Sequence, residues 1–438
     1  MSELFIYSSI DGSCAFFKRF YEFIELHNLT SDGILNAIDH VISSFSSPLV
    51  CVATDGASVM TGAKNGVFAK LTSKFTSIVH IHCVAHRINL VVREFMKKNH
   101  FAQDIIEFLN KLSSFFKKAK NVHKFEQTQL ELGYTNVMKL KLSHPIRWAS
   151  DYDLVHTSIQ RMDAIVKTLI LIESEDKNIS SEEASCTLRK MSNQRFAAAL
   201  CLLHEILAIF HEVSVLSQSE TENISFIQRH IRIGLEDLKS LSADSILQKA
   251  NLVNSTIFRF LHRSIVLPEC HSAIDDCLSS CTLFLEKELE KRFSNVMIEK
   301  IKMFDCLTPS SKSYLDEDKI LILAREYKES HKIDCTLLKH EVFRLSFCVS
   351  NGEHIDWKFL PNLFILFQIF NSMPLTTATV ERTFSTVNRV VSRLRTSMTS
   401  KRSSDLCLIS HEASLLKIIK DEEILEEWKN SRERLLPL

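Results

Sequence analysis

The chain has 438 residues, a formal net charge of zero and 45% hydrophobic residues, which is the profile of a soluble globular protein with two or three domains. Its balanced charge excludes a general electrostatic attraction to nucleic acid, so any such binding needs a local basic face. The 12 cysteines form no CxxC pair, and neither a secretory signal nor a membrane-spanning run is evident. These features favour a nuclear or cytoplasmic protein with reduced thiols and no membrane partner.

The first hundred residues predict alternating strands and helices, which is an α/β arrangement. The predicted elements are a β-hairpin over residues 4–26, a helix over 34–42, a strand over 49–53, a helix over 58–74, a strand over 78–82 and a helix over 84–98. The polar residues Thr30 and Ser31 precede the first of these helices and are suited to cap its N-terminus.

Asp55 follows a short apolar run, Leu49 to Ala53, of the kind that forms a strand buried on both faces. This places a carboxylate at the carboxyl end of a strand, the edge at which open α/β sheets bind ligands. The alternative interpretation is that Asp55 starts a turn and caps the helix that begins near Ser58.

After about residue 100 the sequence predicts helices and no further strands, which agrees with the presence of only 8 Gly and 7 Pro. Helical apolar spacing occurs at residues 105–116, 196–216, 226–261, 274–303, 320–327, 359–370, 377–391, 406–419 and 422–428. The polar stretch 173–183 is predicted to be an exposed loop, and residues 307–318, which contain Pro309 and three Ser, are predicted to be another loop.

Two short motifs in the first half of the chain contain chemically active side chains, but each motif by itself is only a weak indication of function. Cys83 and His86 are three residues apart on one helical face and could form half of a zinc site. No second pair has a matching spacing, so we favour a packed cysteine and a hydrogen-bonded histidine. Arg147 and Trp148 form a pair that is most often a surface cation stacked on a half-buried aromatic ring.

The most basic part of the chain follows Glu381, which lies early in a predicted helix, where the helix dipole favours an acid. Six cations occur within about two dozen residues: Arg382, Arg389, Arg393, Arg395, Lys401 and Arg402. They form either a solvated face or a set of phosphate contacts.

Taken together and in this order, these stretches resemble the hAT superfamily of cut-and-paste DNA transposases and the host proteins derived from them. The matching stretches are Thr54 to Met60, Cys83 to Leu90, Arg147-Trp148, Pro374-Leu375 with Glu381 to Ser385, and Arg393 to Met398. The last two resemble the C-terminal dimerisation region of the family. The resemblance covers nearly the whole chain.

The resemblance implies an RNase H-like catalytic core interrupted by a large helical insertion. In the family, two Asp and one Glu hold two divalent cations, usually Mg²⁺, which activate the attacking oxygen and stabilise the leaving oxygen. Asp55 matches the second acid and Glu381 the third. The pair Arg147-Trp148 matches family residues near the DNA. Cys83 and His86 match a CxxH element, to which we assign a structural role.

The first acid of the family belongs on a core strand that precedes the hairpin, and the hairpin here begins at Leu4. Asp11 lies in the hairpin turn and Asp32 lies beside the following helix, so neither replaces it. We therefore expect an N-terminally truncated chain, an incomplete RNase H-like fold and lost two-metal chemistry, because two close cations need all the carboxylates that offset their repulsion.

The expected fold is an α/β core plus a large all-α insertion, mostly helical overall. The expected domains are residues 1–100 as the N-terminal part of the core, 101–355 as the helical insertion and 356–438 as the dimerisation region that completes the core. The expected function is a catalytically inactive hAT-derived protein, without a cofactor, that forms homo-oligomers through its C-terminal region and binds DNA. The alternative is an active transposase, if an upstream segment supplies the first Asp.

Overall fold

A computed structural model describes most of the chain. The described residues are 2–8, 17–24, 26–45, 48–62, 64–75, 77–144, 148–175, 179–217, 224–261, 271–293, 302–374, 385–391, 398–417 and 419–430. The chain divides into two compact units. Unit 1 contains Met1–Val84 and Val296–Leu438, and unit 2 contains Ala85–Asn295. This division into two units does not test the domain boundaries that the sequence predicts at residues 100 and 355, and these boundaries stay predictions.

The described strands all lie in unit 1 and form two separate two-stranded sheets. Strands β1 (Ser2–Ser8) and β2 (Phe17–Ile24) form the predicted antiparallel hairpin. Strands β3 (Cys51–Thr54) and β4 (Val79–His82) pair in parallel, with Thr54 opposite His82. In the part of the chain that the structure describes, no ladder joins the two sheets. The RNase H-like arrangement of the strands therefore stays a prediction.

The described chain is mostly helical, as predicted. In chain order the α-helices are α1 (Ser31–Ile42), α2 (Ser58–Thr61), α3 (Val67–Lys74), α4 (Val84–Lys98), α5 (His100–Phe116), α6 (Ala119–Glu131), α7 (Ala149–Gln160), α8 (Met162–Glu173), α9 (Ile179–Met191), α10 (Gln194–Ser217), α11 (Ile224–Ser240), α12 (Ala243–Leu261), α13 (His271–Arg292), α14 (Glu317–His331), α15 (Cys335–Asn351), α16 (Pro361–Asn371), α17 (Ser400–His411), α18 (Ala413–Leu416) and α19 (Asp421–Asn430). Short 3₁₀ turns occur at Met303–Leu307 and Trp357–Phe359, and residues 385–390 are also helical.

Helix α1 and the β3–β4 pair are held by one apolar cluster. The helix begins at Ser31, three residues before the predicted start, because the Thr30 side chain caps it, as predicted, by accepting a hydrogen bond from the Gly33 N–H. Its Leu35 packs with Leu71 of α3 and with Ile78, which immediately precedes β4. This cluster fixes the strand that ends at the candidate site.

The single helix predicted over residues 58–74 is wrong, because the structure has two helices there, α2 and α3. Gly66 lies between them with its backbone N–H donated to the Gly62 carbonyl, 2.9 Å away. A Cβ at Gly66 would lie only 2.5 Å from backbone atoms of Gly62, so the chain turns back on itself at a distance that only glycine permits.

Two other predicted boundaries are corrected. The loop expected over residues 173–183 is shorter, because α9 already begins at Ile179 and carries Glu182 in its first turn, where the helix dipole favours an acid. The helix expected over 406–419 begins earlier, at Ser400, because the Thr399 hydroxyl accepts from the Arg402 N–H. The loop predicted over 307–318 is confirmed as a series of turns before α14.

Helix α10 is the central helix of unit 2 and packs against α5, α7, α9, α11 and α12. Residues Arg195–Ser217 are long and apolar enough to cross a membrane by length and composition alone, but half of the most apolar window is buried inside the protein. Buried leucines such as Leu203 and Leu207 face the neighbouring helices. We interpret α10 as a core helix, since an apolar helix of this kind is also what the centre of a helical domain requires.

Candidate functional site

Asp55 lies one residue beyond the end of β3, as predicted, and its side chain is exposed. The Oδ1 atom accepts a hydrogen bond from the Ala57 N–H at 3.1 Å. Ala57 is the N-cap residue of α2 and makes no side-chain capping bond itself. The Asp55 carboxylate thus shapes the turn between strand and helix while remaining at the surface.

The neighbouring strand β4 brings a histidine to the same edge. The Nε2 atom of His80 lies 2.8 Å from the Thr54 hydroxyl oxygen, and its ring stacks on Phe68 with centroids 4.2 Å apart. The Cys83 N–H donates to the Thr54 carbonyl at 2.8 Å and so continues the pairing beyond β4. These contacts hold the residue before Asp55 firmly in place.

We tested whether this edge fits the two divalent cations that the family resemblance implies. Among the described residues, no group of three His, Cys, Asp or Glu side chains lies close enough to hold a metal ion. Glu381 lies outside the described residues, so its separation from Asp55 stays untested. A single exposed carboxylate does not fit a pair of Mg²⁺ ions, which need several oxygen ligands from the protein.

The Cys83-His86 motif spans the start of α4. Cys83 is fully buried immediately before the helix, and His86 is half-buried in its first turn. The bounds of α4 match the prediction, and its buried face includes Ile88, Val92 and Phe95. The structural role that we assign to Cys83 and His86 remains a prediction.

Trp148 lies at the N-terminus of α7 and is buried, more deeply than the half-buried ring that the pair predicts. Its indole approaches His211 of α10 edge-on, with centroids 6.4 Å apart, and His211 in turn stacks on Tyr152 at 4.1 Å. In this position Trp148 helps to hold α7 against α10. Arg147 lies outside the described residues, and a DNA contact by either residue stays a prediction.

Sequence reasoning missed a chain of hydrogen bonds that joins α7, α10 and α12. Gln160 Nε2 lies 2.8 Å from His156 Nε2, and His156 Nδ1 lies 3.0 Å from His204 Nε2. His204 Nδ1 then lies 3.2 Å from Glu205, whose other oxygen accepts from Lys249 at 2.6 Å. Every atom is satisfied when both imidazoles are neutral and each donates toward Glu205.

The pKa shifts agree with that neutral chain. Burial, followed by the neighbouring His204, lowers the pKa of His156, and burial also lowers the pKa of His211. The hydrogen bond from His204, assisted by Lys249, lowers the pKa of Glu205 to about 2. Because His156 and His204 are 48 residues apart, no local spacing in the sequence indicates this contact.

Unit 2 also contains a cleft of about 1120 Å³ between α4, α5 and α9. Its charged lining includes Arg93, Lys97 and Lys190, and two ion pairs, Lys111–Glu107 and Lys118–Glu183. Asp151 also lines it, and burial raises the pKa of its carboxyl to about 6 despite a bond from Ser143. The mixed charge of this cleft does not select one class of ligand.

The basic segment near the C-terminus is described only in part. Arg382, Arg393 and Arg395 lie outside the described residues, as does the helix start predicted near Thr377. Arg389 is exposed and donates from Nη2 to the Ser410 hydroxyl of α17 at 2.6 Å. Beneath it, Val387 and Cys407 are buried against each other, so an apolar contact anchors the described helical segment to α17.

A buried carboxylate connects α15 to α16 through hydrogen bonds. Glu341 is buried, and its two oxygens accept from Asn362 Nδ2 and from the Leu363 N–H, each at 2.7 Å. Asn362 Oδ1 accepts from the Asp334 N–H at 2.8 Å. The carboxylate therefore satisfies the free Leu363 N–H in the first turn of α16, where the helix dipole also favours a negative charge.

Two family models match the chain. The ZBED1 RNase-like helical domain matches residues 81–194, from the end of β4 to the start of α10. The hAT family C-terminal dimerisation region matches residues 338–413, from α15 to α18. Both matches fall on stretches that carry the motifs of the sequence, and they occur in the order that the resemblance requires. The chain is an hAT transposase-derived protein.

Proposed function

We propose that this protein is a non-enzymatic hAT-derived protein whose main activity is self-association through its C-terminal region. The observation that carries the proposal is the match of residues 338–413 to the hAT dimerisation region. Large apolar side chains within that stretch are exposed, including Phe343, Phe347 and Phe359. Exposed apolar side chains concentrated on one region are typical of a surface that another chain covers.

Size-exclusion chromatography with light scattering tests self-association directly. We expect the full chain to have the mass of a dimer or larger oligomer at micromolar concentration and to dissociate on dilution, because an interface obeys mass action. A mass of 50.3 kDa, that of one chain, at every concentration from one to fifty micromolar would contradict the proposal.

DNA binding is a second proposed function, which the exposed cations at the C-terminal end of the chain support. Arg389, Lys401 and Arg402 are exposed in the described part of this segment. We propose that they act together with Arg393 and Arg395, because phosphate contacts need several cations on one face. The alternative is a solvated face without a ligand.

Fluorescence anisotropy with a short duplex at several salt concentrations separates these alternatives. The Arg393→Ala/Arg395→Ala variant should bind more weakly and show a salt dependence that is shallower by roughly two contacts. Lys358→Ala, an exposed cation elsewhere in unit 1, is the matched control and should bind like the unmodified protein. Equal binding by the double variant would refute the phosphate contacts. Arg147→Ala tests the proposed contribution of the Arg147-Trp148 pair in the same assay.

We also propose that the chain does not catalyse phosphoryl transfer by itself, because it matches two of the three acids of the family, Asp55 and Glu381. The alternative is an active transposase whose first acid comes from an upstream segment. A DNA nicking assay with Mg²⁺ tests the proposal. No cleavage by the chain is the expected result, and cleavage that Asp55→Asn abolishes would contradict it. The alternative is tested by the same assay on a protein extended by that upstream segment.

A nuclear location is the last part of the proposal and follows from descent from enzymes that act on DNA. Fluorescence microscopy of the tagged full chain tests it. Signal that is confined to the cytoplasm would contradict a nuclear location.

A further inference from the structure

The outer face of α15 carries two exposed phenylalanines. Leu338, Val342 and Leu345 bury one side of this helix. On the opposite side, Phe343 is 70% exposed and Phe347 is 55% exposed. Residues four apart lie on the same helical face, so the two rings form one apolar strip. We call this strip, with its flanking residues, the α15 face.

The α15 face is bordered by positive charge. Helical geometry places Lys339 on one side of the phenylalanine strip and Arg344 on the other. The only carboxylate on this helix is Glu341, which is buried and bonded to α16. Lys339 lies 3.6 Å from Glu317, but this exposed pair leaves both side chains open to solvent. Two α15 faces in contact would set cations against cations, so the face requires an acidic apolar partner.

Helix α19 has the complementary composition. None of its ten residues is buried, and Ile424 and Leu425 are 51% and 53% exposed. Its carboxylates lie on both sides of this apolar pair: Asp421, Glu422, Glu423, Glu426 and Glu427. An isolated helix of ten residues is marginal in water, so α19 gains most of its stability from a partner.

We propose that α19 of one copy of the chain packs on the α15 face of a second copy, and that the second copy returns the same contact. Within one copy, Phe343 and Ile424 are both exposed, so α19 does not cover the α15 face of its own chain. A two-fold dimer repeats the contact and doubles the apolar area that is removed from water. The inference rests on the proposed self-association and names the surfaces that perform it.

The first test removes the apolar strip. We expect Phe343→Ser/Phe347→Ser to weaken the dimer about 30-fold or more in analytical ultracentrifugation, the loss typical of central aromatic residues of an interface. Val349→Ser is the matched control, because Val349 is 50% exposed on the same helix but projects away from the strip. The control should dimerise like the unmodified protein. Circular dichroism should show the same helical content in all three.

The second test exchanges charges between the two surfaces. Lys339→Glu/Arg344→Glu makes the α15 face acidic. Glu423→Lys/Glu426→Lys/Glu427→Lys leaves α19 with two carboxylates against four lysines, Lys429 included, and so makes it basic. Each variant alone should be monomeric, because its two surfaces then carry the same sign. An equimolar mixture of the two variants should form a heterodimer, because both reciprocal contacts regain opposite charges.

A failure of this inference and a failure of the proposed self-association would give different results in these tests. If the unmodified chain dimerises but Phe343→Ser/Phe347→Ser dimerises equally well, the assigned surfaces are wrong while self-association stands. If the α19 charge variant dimerises alone, α19 is not the occupant of the α15 face. If the unmodified chain is a monomer at every concentration, both the proposed function and this inference fail.

Discussion

Replacing Glu341 with Gln is expected to destabilise the C-terminal part of unit 1, although the two side chains have nearly the same shape. Both partners of the buried carboxylate are donors, Asn362 Nδ2 and the Leu363 N–H, each at 2.7 Å. A glutamine side chain offers one acceptor and sets its own NH₂ against the second donor. Asn362 cannot rotate its amide to compensate, because its Oδ1 already accepts from the Asp334 N–H.

The size of the expected loss in the free energy of unfolding follows from the two hydrogen bonds that Glu341 accepts. A bond to a charged group contributes about 1.5–3 kcal/mol, so the bond that is lost accounts for most of the effect. The remaining bond becomes neutral and roughly half as strong. We expect the free energy of unfolding to fall by about 2–4 kcal/mol. The exposed Glu329→Gln on α14 is the matched control and should change stability by less than about 0.5 kcal/mol.

A compensating exchange makes this prediction specific. In Glu341→Gln/Asn362→Asp the new amide donates to the new carboxylate, and Asp334 and Leu363 both keep an acceptor. We therefore expect the double variant to recover most of the lost stability, whereas Asn362→Asp alone should be strongly destabilised by two adjacent carboxylates. Urea unfolding followed by circular dichroism measures all four proteins. If the losses of stability in the two single variants simply add up in the double variant, the reasoning is refuted.

Two further predictions concern the turn after α2 and the histidines of unit 2. Gly66→Ala should lower the free energy of unfolding by about 3 kcal/mol, because its Cβ would lie 2.5 Å from Gly62, whereas the exposed Asn65→Ala should change it little in the same urea titration. Because burial lowers the pKa of His156 and of His211, the stability of unit 2 is fully retained above the unfolded-state pKa of about 6.5. It is lost as the pH falls below that value and through the lower folded-state pKa, since the unfolded chain then binds protons that the folded chain does not. His156→Asn should therefore lose less stability than the unmodified protein between pH 7.5 and pH 5.5, and an unchanged pH dependence would count against the buried neutral imidazole.

Local patterns in the sequence were sufficient for much of the secondary structure. The bounds of α4 were predicted to the residue, and the hairpin was also correct. A strand does precede Asp55, but it spans Cys51–Thr54, and its first three residues are half-buried where a strand buried on both faces was expected. Apolar periodicity and capping side chains are local properties, and they act on the same few residues that they order. The prediction failed at residues 62–66, because the break there depends on a close approach of two backbone segments.

The site could be predicted only where it is a continuous stretch of sequence. Asp55 lies at the end of its strand as expected, and the motifs at 83–90 and 147–148 fall in or beside the matched helical domain. The depth at which Trp148 is buried was not predicted, because its neighbour His211 comes from a helix 63 residues further along the chain. Whether Asp55 meets Glu381 depends on residues outside the described part of the chain.

The sequence by itself determined the ancestry of this protein, because short motifs in a fixed order identify an hAT-derived chain without any knowledge of its contacts. Only the tertiary structure decided which polar groups are buried together. Examples are the hydrogen bond between His156 and His204 and the hydrogen bonds of the buried Glu341 carboxylate. The physical reason is that burial makes a polar group depend on its hydrogen-bond partners, and these partners come from helices that folding, and not sequence proximity, brings into contact.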